Sequence, residues 1–180
     1  MMRWNGFFRS IAFAAVAALA YLPTLGVFGP WLGYRESLIA FIILSSSVYA
    51  MGLVPERRRG LAAAAFIAAV GTGAAVVASP PHTVALVALV AIGVVRSGWL
   101  RPMPFGRAAW IELMILFGSA LLGSFLVGRG ALGGAFAVWG VGLIQSVYFL
   151  LVATSARSKP RQDPFEVARR RAMALLEEAR

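Results

Sequence analysis

Six stretches of about 20 mostly apolar residues constrain this chain more than any other feature. A helix needs about 20 such residues to cross a hydrocarbon core about 30 Å thick. Lipid offers the backbone no hydrogen-bond partner, so each span must satisfy its own N–H and C=O groups as a helix or close into a barrel. The stretches cover residues 7–28, 36–54, 60–79, 83–100, 108–127 and 131–153, and the breaks between them carry turn residues such as Gly29-Pro30, Pro80-Pro81 and Gly128-Arg129-Gly130. No segment alternates with period two over many strands, which argues against a β-barrel. Composition agrees: the 180 residues are 60% hydrophobic and 13% charged, against about 45–50% and about 25% in a soluble domain. The sequence predicts an all-α integral membrane protein: a six-helix transmembrane domain over residues 1–154, then a basic cytoplasmic tail over 155–180 with an amphipathic helix.

Orientation follows from where the 17 positive residues fall. With the N-terminus in the cytoplasm, only Arg35 and Arg129 lie outside, leaving the other 15 of 17 inside. That asymmetry is the positive-inside pattern, and it supports the helix count, because losing an internal span would invert every later loop. It also accounts for the net charge of +10 without a nucleic-acid partner. The start, with Arg3 and Arg9 before an apolar run ending Ala18-Leu19-Ala20, has the form of a secretory signal. The run continues to Phe28, so an uncleaved first helix is expected. The bias to Arg, Ala and Gly points to a bacterial chain, and so to the bacterial inner membrane with both termini cytoplasmic.

Polar residues inside a span cost free energy and mark structure or function. Arg96 falls about 6 Å before the cytoplasmic end of the fourth stretch and Glu112 about as far into the fifth, so the hairpin brings them level. Their pairing either fixes the hairpin or leaves Glu112 to handle a proton or cation. Ser119, Gln145, Ser146 and Tyr148 sit nearer mid-depth, where they either bond one another between helices or line a polar pocket with Glu112. Ser45, Ser46 and Ser47 cross the middle of the second stretch, and serines there are expected to bond back to their own helix. Trp31, Tyr34, Trp99 and Trp110 cluster at predicted boundaries as interfacial anchors. His82 has no partner with which to hold a metal, and no cofactor is expected.

Helices in lipid associate through small residues that let backbones approach. The third stretch carries two such ridges, Gly60, Ala64, Ala68 and Thr72, and beside it Ala65, Ala69 and Gly73. The first has Ala14 and Ala18, the fifth Ser119 and Gly123, and the sixth Gly130 and Gly134, each pair four residues apart. They serve either the bundle itself or a second membrane subunit. Six short helices, both ends inside, and the Ala14-x-x-x-Ala18 motif together resemble the substrate-binding membrane subunits of energy-coupling-factor transporters. The likeness is one of layout and implies a solute-binding subunit without assigning residues.

In the tail, Asp163-Pro164-Phe165-Glu166 has helix-start chemistry: an N-cap, a proline at the first helical position and a capping-box acid. Phe165, Ala168, Ala172, Leu175, Leu176 and Ala179 share one face, flanked by Arg169 to Arg171. That face suits either anionic lipid or a cytoplasmic protein.

Enzyme chemistry is poorly supplied. The chain has no Cys, one His (His82), one Asp (Asp163) and one Lys (Lys159). These counts exclude a thiolate nucleophile, an aspartyl dyad, a haem-ligating His pair and an intramembrane Schiff base. The expected function is a non-catalytic accessory or assembly subunit of a membrane complex, with the bilayer and a membrane or cytoplasmic protein as partners. The alternatives are a small-solute transporter or substrate-binding subunit with its polar site near Glu112 and, more remotely, an intramembrane enzyme. Saturable solute binding lost on Glu112→Gln separates the solute readings from the first.

Overall fold

The computed structural model describes residues 2–54, 56–77, 80–99, 104–127, 129–157, 169 and 173, and every regular element among them is an α-helix. The helices are α1 (Met2–Leu32), α2 (Tyr34–Leu53), α3 (Arg57–Val76), α4 (Pro81–Trp99), α5 (Phe105–Val127) and α6 (Gly130–Arg157). All six are long and apolar enough to cross a membrane. Large apolar side chains stay exposed around the outside, among them Leu19, Trp31, Val76, Trp110 and Phe117, as a lipid-facing surface requires.

Helix ends depart from the predicted ones in instructive ways. The Gly29-Pro30 turn does not form; α1 carries both Pro23 and Pro30 inside it and runs on to Leu32. Each proline removes one i→i−4 bond, a loss membrane helices tolerate where local groups compensate. The break comes instead at Gly33, whose φ of 92° lies in the left-handed region that glycine enters without steric cost. Its N–H still closes on the Gly29 carbonyl at 2.9 Å, and the Ser37 N–H returns to the Gly33 carbonyl at 3.0 Å. One residue thus turns α1 into α2. At the other end α6 continues past residue 153 to Arg157. The tail positions Phe165, Ala168, Ala172, Leu175 and Leu176 lie outside the described residues; Arg169 is helical and exposed.

Packing makes a ring of five. Around it, α1 touches α2 and α6, α2 touches α4, α4 touches α5, and α5 touches α6. The remaining helix, α3, lies outside the ring against α2 and α4 alone. The most extensive seam is α1 with α6, and glycines let the two helices approach closely along it. Gly142 faces Ala14 and Gly134 faces the Tyr21 hydroxyl, while Gly6 on α1 lies under the Phe149 ring, where an added Cβ would sit 2.8 Å from it. The three contacts keep one antiparallel register along the pair. Ala14 and Gly134 belong to the expected small-residue motifs; their partners, Gly142 and Tyr21, do not.

The ridges of α3 sort differently from expectation. Its inward line is Gly60, Ala63, Ile67 and Gly71, all buried. Ala64 and Ala68 flank that line, and Thr72 is exposed. The second ridge, Ala65, Ala69 and Gly73, faces outward along its whole length. An α-helix advances 100° per residue, so the steps of three, four and four from 60 to 71 hold one face, whereas unbroken steps of four from Gly60 drift off it.

Candidate functional site

Arg96 is the largest fully buried side chain among the described residues, at 1% exposure. An arginine in that position needs nearly all its N–H groups engaged, since an unpaired buried charge costs several kcal/mol. α4 presents it about 5 Å from the helix end, and α5 presents Glu112 about 10 Å from its own start. The two side chains meet fork to fork: Nε donates to Glu112 Oε1 at 2.8 Å, and Nη2 donates to Oε2. This bidentate geometry is the strong form of the interaction.

The remaining nitrogen reaches across the ring. Nη1 donates to Gln145 Oε1 at 2.9 Å and to the Gln145 backbone carbonyl at 3.3 Å, both on α6. Gln145 Nε2 in turn faces Ser119 Oγ on α5 at 3.5 Å. The Tyr148 ring lies under the guanidinium, 4.2 Å from Cζ to the ring centroid, a cation–π contact that disperses the charge further. The Tyr148 hydroxyl itself is buried with no hydrogen-bond partner among the described residues. Tyr49 on α2 lies within electrostatic reach of both charges and shares a 3.1 Å hydrogen bond with Ser10 on α1. All five ring helices therefore send a side chain toward one level of the bundle. Among the described residues no backbone contact joins α4 to α6, and Arg96 bridges that gap through Gln145.

The structure unites four of the five predicted site residues, Arg96, Glu112, Ser119 and Gln145, and turns the fifth aside. Ser146 is buried but donates to its own helix, to the Leu143 carbonyl at 2.7 Å. Ser45 and Ser47 likewise bond back to Phe41 and Ile43. Gly93 is the residue sequence reasoning missed most clearly. A Cβ there would lie 3.1 Å from Glu112 Oε2, so its bare backbone makes room for the carboxylate. Its signal was a glycine one turn before the only arginine in the fourth span.

Above this network the ring surrounds a cavity of about 750 Å³ that is open on one side. It occupies the half of the bundle away from the chain termini, from His82, Ser124 and Gly134 at one end to Tyr49, Ser119 and Gln145 at the other. Its walls come from all five ring helices and none from α3. Aromatic and aliphatic side chains make up most of the lining, among them Phe13, Tyr21, Phe41, Leu89 and Phe117. Ser119 and Gln145 line the cavity and belong to the network as well, so the network lies at its floor.

Fold and site together define a helical protein built to cross the membrane six times, with an apolar chamber above a buried ion-pair network. Comparisons with known protein families, curated proteins and solved structures find no match.

Proposed function

We propose that this chain is a non-catalytic protein of the bacterial inner membrane, with both ends in the cytoplasm, that holds one small solute inside its five-helix ring. The observation that carries this reading is the chamber. Ligand sites measure about 300–1,000 Å³ and combine an apolar lining with a few placed polar groups. This one holds about 750 Å³, with Ser119 and Gln145 fixed at its floor by Arg96. Both Glu112 oxygens accept hydrogen bonds from Arg96, which supports reading the carboxylate as an anchor for the site. The distribution of arginines supports this orientation, in which the chamber would occupy the outer half of the bilayer.

A specific feature favours a second role as a subunit. The outward ridge of Ala65, Ala69 and Gly73 on α3 is small-residue surface of the kind that lets another membrane helix approach. A substrate-binding subunit that delivers its solute to a larger assembly uses both features at once.

Native mass spectrometry of the protein transferred from its own membrane into lipid nanodiscs tests the solute site. We expect one non-lipid or lipid-like molecule per chain, lost in Ala137→Trp, where an indole grows from α6 into the chamber. A chain with no bound molecule, or equal occupancy in the variant, contradicts the proposal. Capture of a membrane protein that leaves with Ala65→Leu and Ala69→Leu would establish the subunit role.

A further inference from the structure

We infer that the occupant of this chamber is a neutral long-chain lipophile with a single hydroxyl or carbonyl end, which reaches it sideways from the bilayer between α4 and α5. The inference rests on the solute-site reading and adds to it a ligand class and a route. Three observations carry it.

The first is where the chamber is thin. Lining residues from α1, α2 and α6 are buried or half-buried, whereas Leu86, Phe117 and Leu121, with His82 and Ser124 at the end, remain exposed. Every one of these belongs to α4 or α5. The opening therefore runs along a single seam and does not encircle the chamber.

The second is how that seam is held. α4 and α5 follow one another in the chain, yet they share the least backbone contact of any touching pair. What joins them is the Arg96–Glu112 pair at one end. Toward the other face, Leu86 lies ten residues from Arg96 and Leu121 nine residues from Glu112, about 15 Å and about 14 Å along antiparallel helices. The two leucines are thus level with each other, at the depth of acyl chains.

The third is charge. Among the described residues no acidic or basic side chain lines the chamber apart from His82 at its outer end. The full charges near the floor, Arg96 and Glu112, are spent on each other, and Arg96 is held further by Gln145 and the Tyr148 ring. An ionic head would enter a low-dielectric site with no counter-charge, at a cost of several kcal/mol. A hydroxyl or carbonyl needs only one neutral partner, which Ser119 or Gln145 supplies.

The absence of cysteine makes the test clean. Leu86→Cys with Leu121→Cys places two thiols on exposed positions at the seam, to be bridged in phosphatidylcholine nanodiscs by a cleavable bis-thiol linker long enough to span it. Three photoactivatable probes of equal chain length are compared, a long-chain alcohol, the carboxylate and the trimethylammonium, with labelled sites mapped by peptide mass spectrometry. The alcohol is expected to label interior positions such as Phe13 and Val138 saturably, about tenfold or more above either charged probe, given the cost of charge in the bilayer. Bridging should abolish that labelling and cleaving the linker should restore it, which excludes misfolding as the cause. Equal labelling by a charged probe overturns the ligand class. Undiminished labelling after bridging overturns the lateral route, while a native molecule still found in the bridged protein leaves the solute site standing. Interior labelling by no probe, with no native molecule bound, removes both.

Discussion

At the scale of the residue, Arg96 holds the ring together at one level. One guanidinium ties α4 to α5 through Glu112, to α6 through Gln145, and rests its face on Tyr148. Removing one member of a buried pair leaves the other charge unpaired, whereas removing both is often near neutral. Arg96→Met and Glu112→Gln should each cost about 3 kcal/mol, with the double variant recovering much of the loss. Reversible unfolding in mixed micelles, read as a double-mutant cycle, measures the coupling; simple additivity would count against the pair. Gly93→Ala should be milder, because the Glu112 carboxylate can yield a few tenths of an ångström. Much of this was legible beforehand: spacing alone brought Arg96 level with Glu112 and Ser119 level with Gln145. Tyr148 beneath Arg96 and the space at Gly93 were not, since both depend on helix rotation, which spacing along a hairpin does not specify.

At the scale of the element, glycine sets which helices meet. The α1–α6 seam has Gly142 pressed on Ala14, with the Ala14 Cα only 3.2 Å from where a Cβ would stand. A helix backbone cannot yield as a side-chain tip can, so Gly142→Ala should cost about 1–3 kcal/mol. Gly26→Ala, with nothing within 4 Å, serves as the control and should leave the unfolding midpoint in place. The outward face of α3 makes a separate prediction: Ala65→Leu with Ala69→Leu should leave the stability of the isolated chain unchanged, because neither side chain faces α2 or α4. The spans themselves were plain in the sequence, and their partners were not. In a soluble helix an apolar stripe marks the inner face, but a membrane helix is apolar all round and only small or polar residues distinguish inside from outside. That is why the burial of Ala14 and Gly134 could be anticipated from their motifs, while Ala63 and Ile67 on α3 could not be told from their neighbours. The turn at Gly33 was hidden for a related reason: Pro30 is a helix breaker in water, and in α1 it is carried through.

At the scale of the whole molecule, ring, chamber and orientation form one account. If the arginine-rich face is cytoplasmic, Trp31→Cys should react with a membrane-impermeant maleimide added outside intact cells, and Arg57→Cys only after the membrane is opened. The opposite pattern would invert the chamber to the inner leaflet. The ring itself was beyond sequence reasoning, because short connections imply that chain neighbours pack together, and α4 with α5 is where that rule is weakest. Arg96 joins α4 to α5 at one end of that weakly packed seam, and the rest of the seam is where the chamber's exposed lining residues lie. The most direct test is a ladder of cysteine pairs stepped along α4 and α5 in nanodiscs, from the Arg96–Glu112 level to the Leu86–Leu121 level, each bridged with linkers of increasing length. The account predicts efficient bridging by the shortest linker beside the ion pair and a need for progressively longer ones toward Leu86 and Leu121. Equal bridging by the shortest linker at every level would show a closed seam and contradict it.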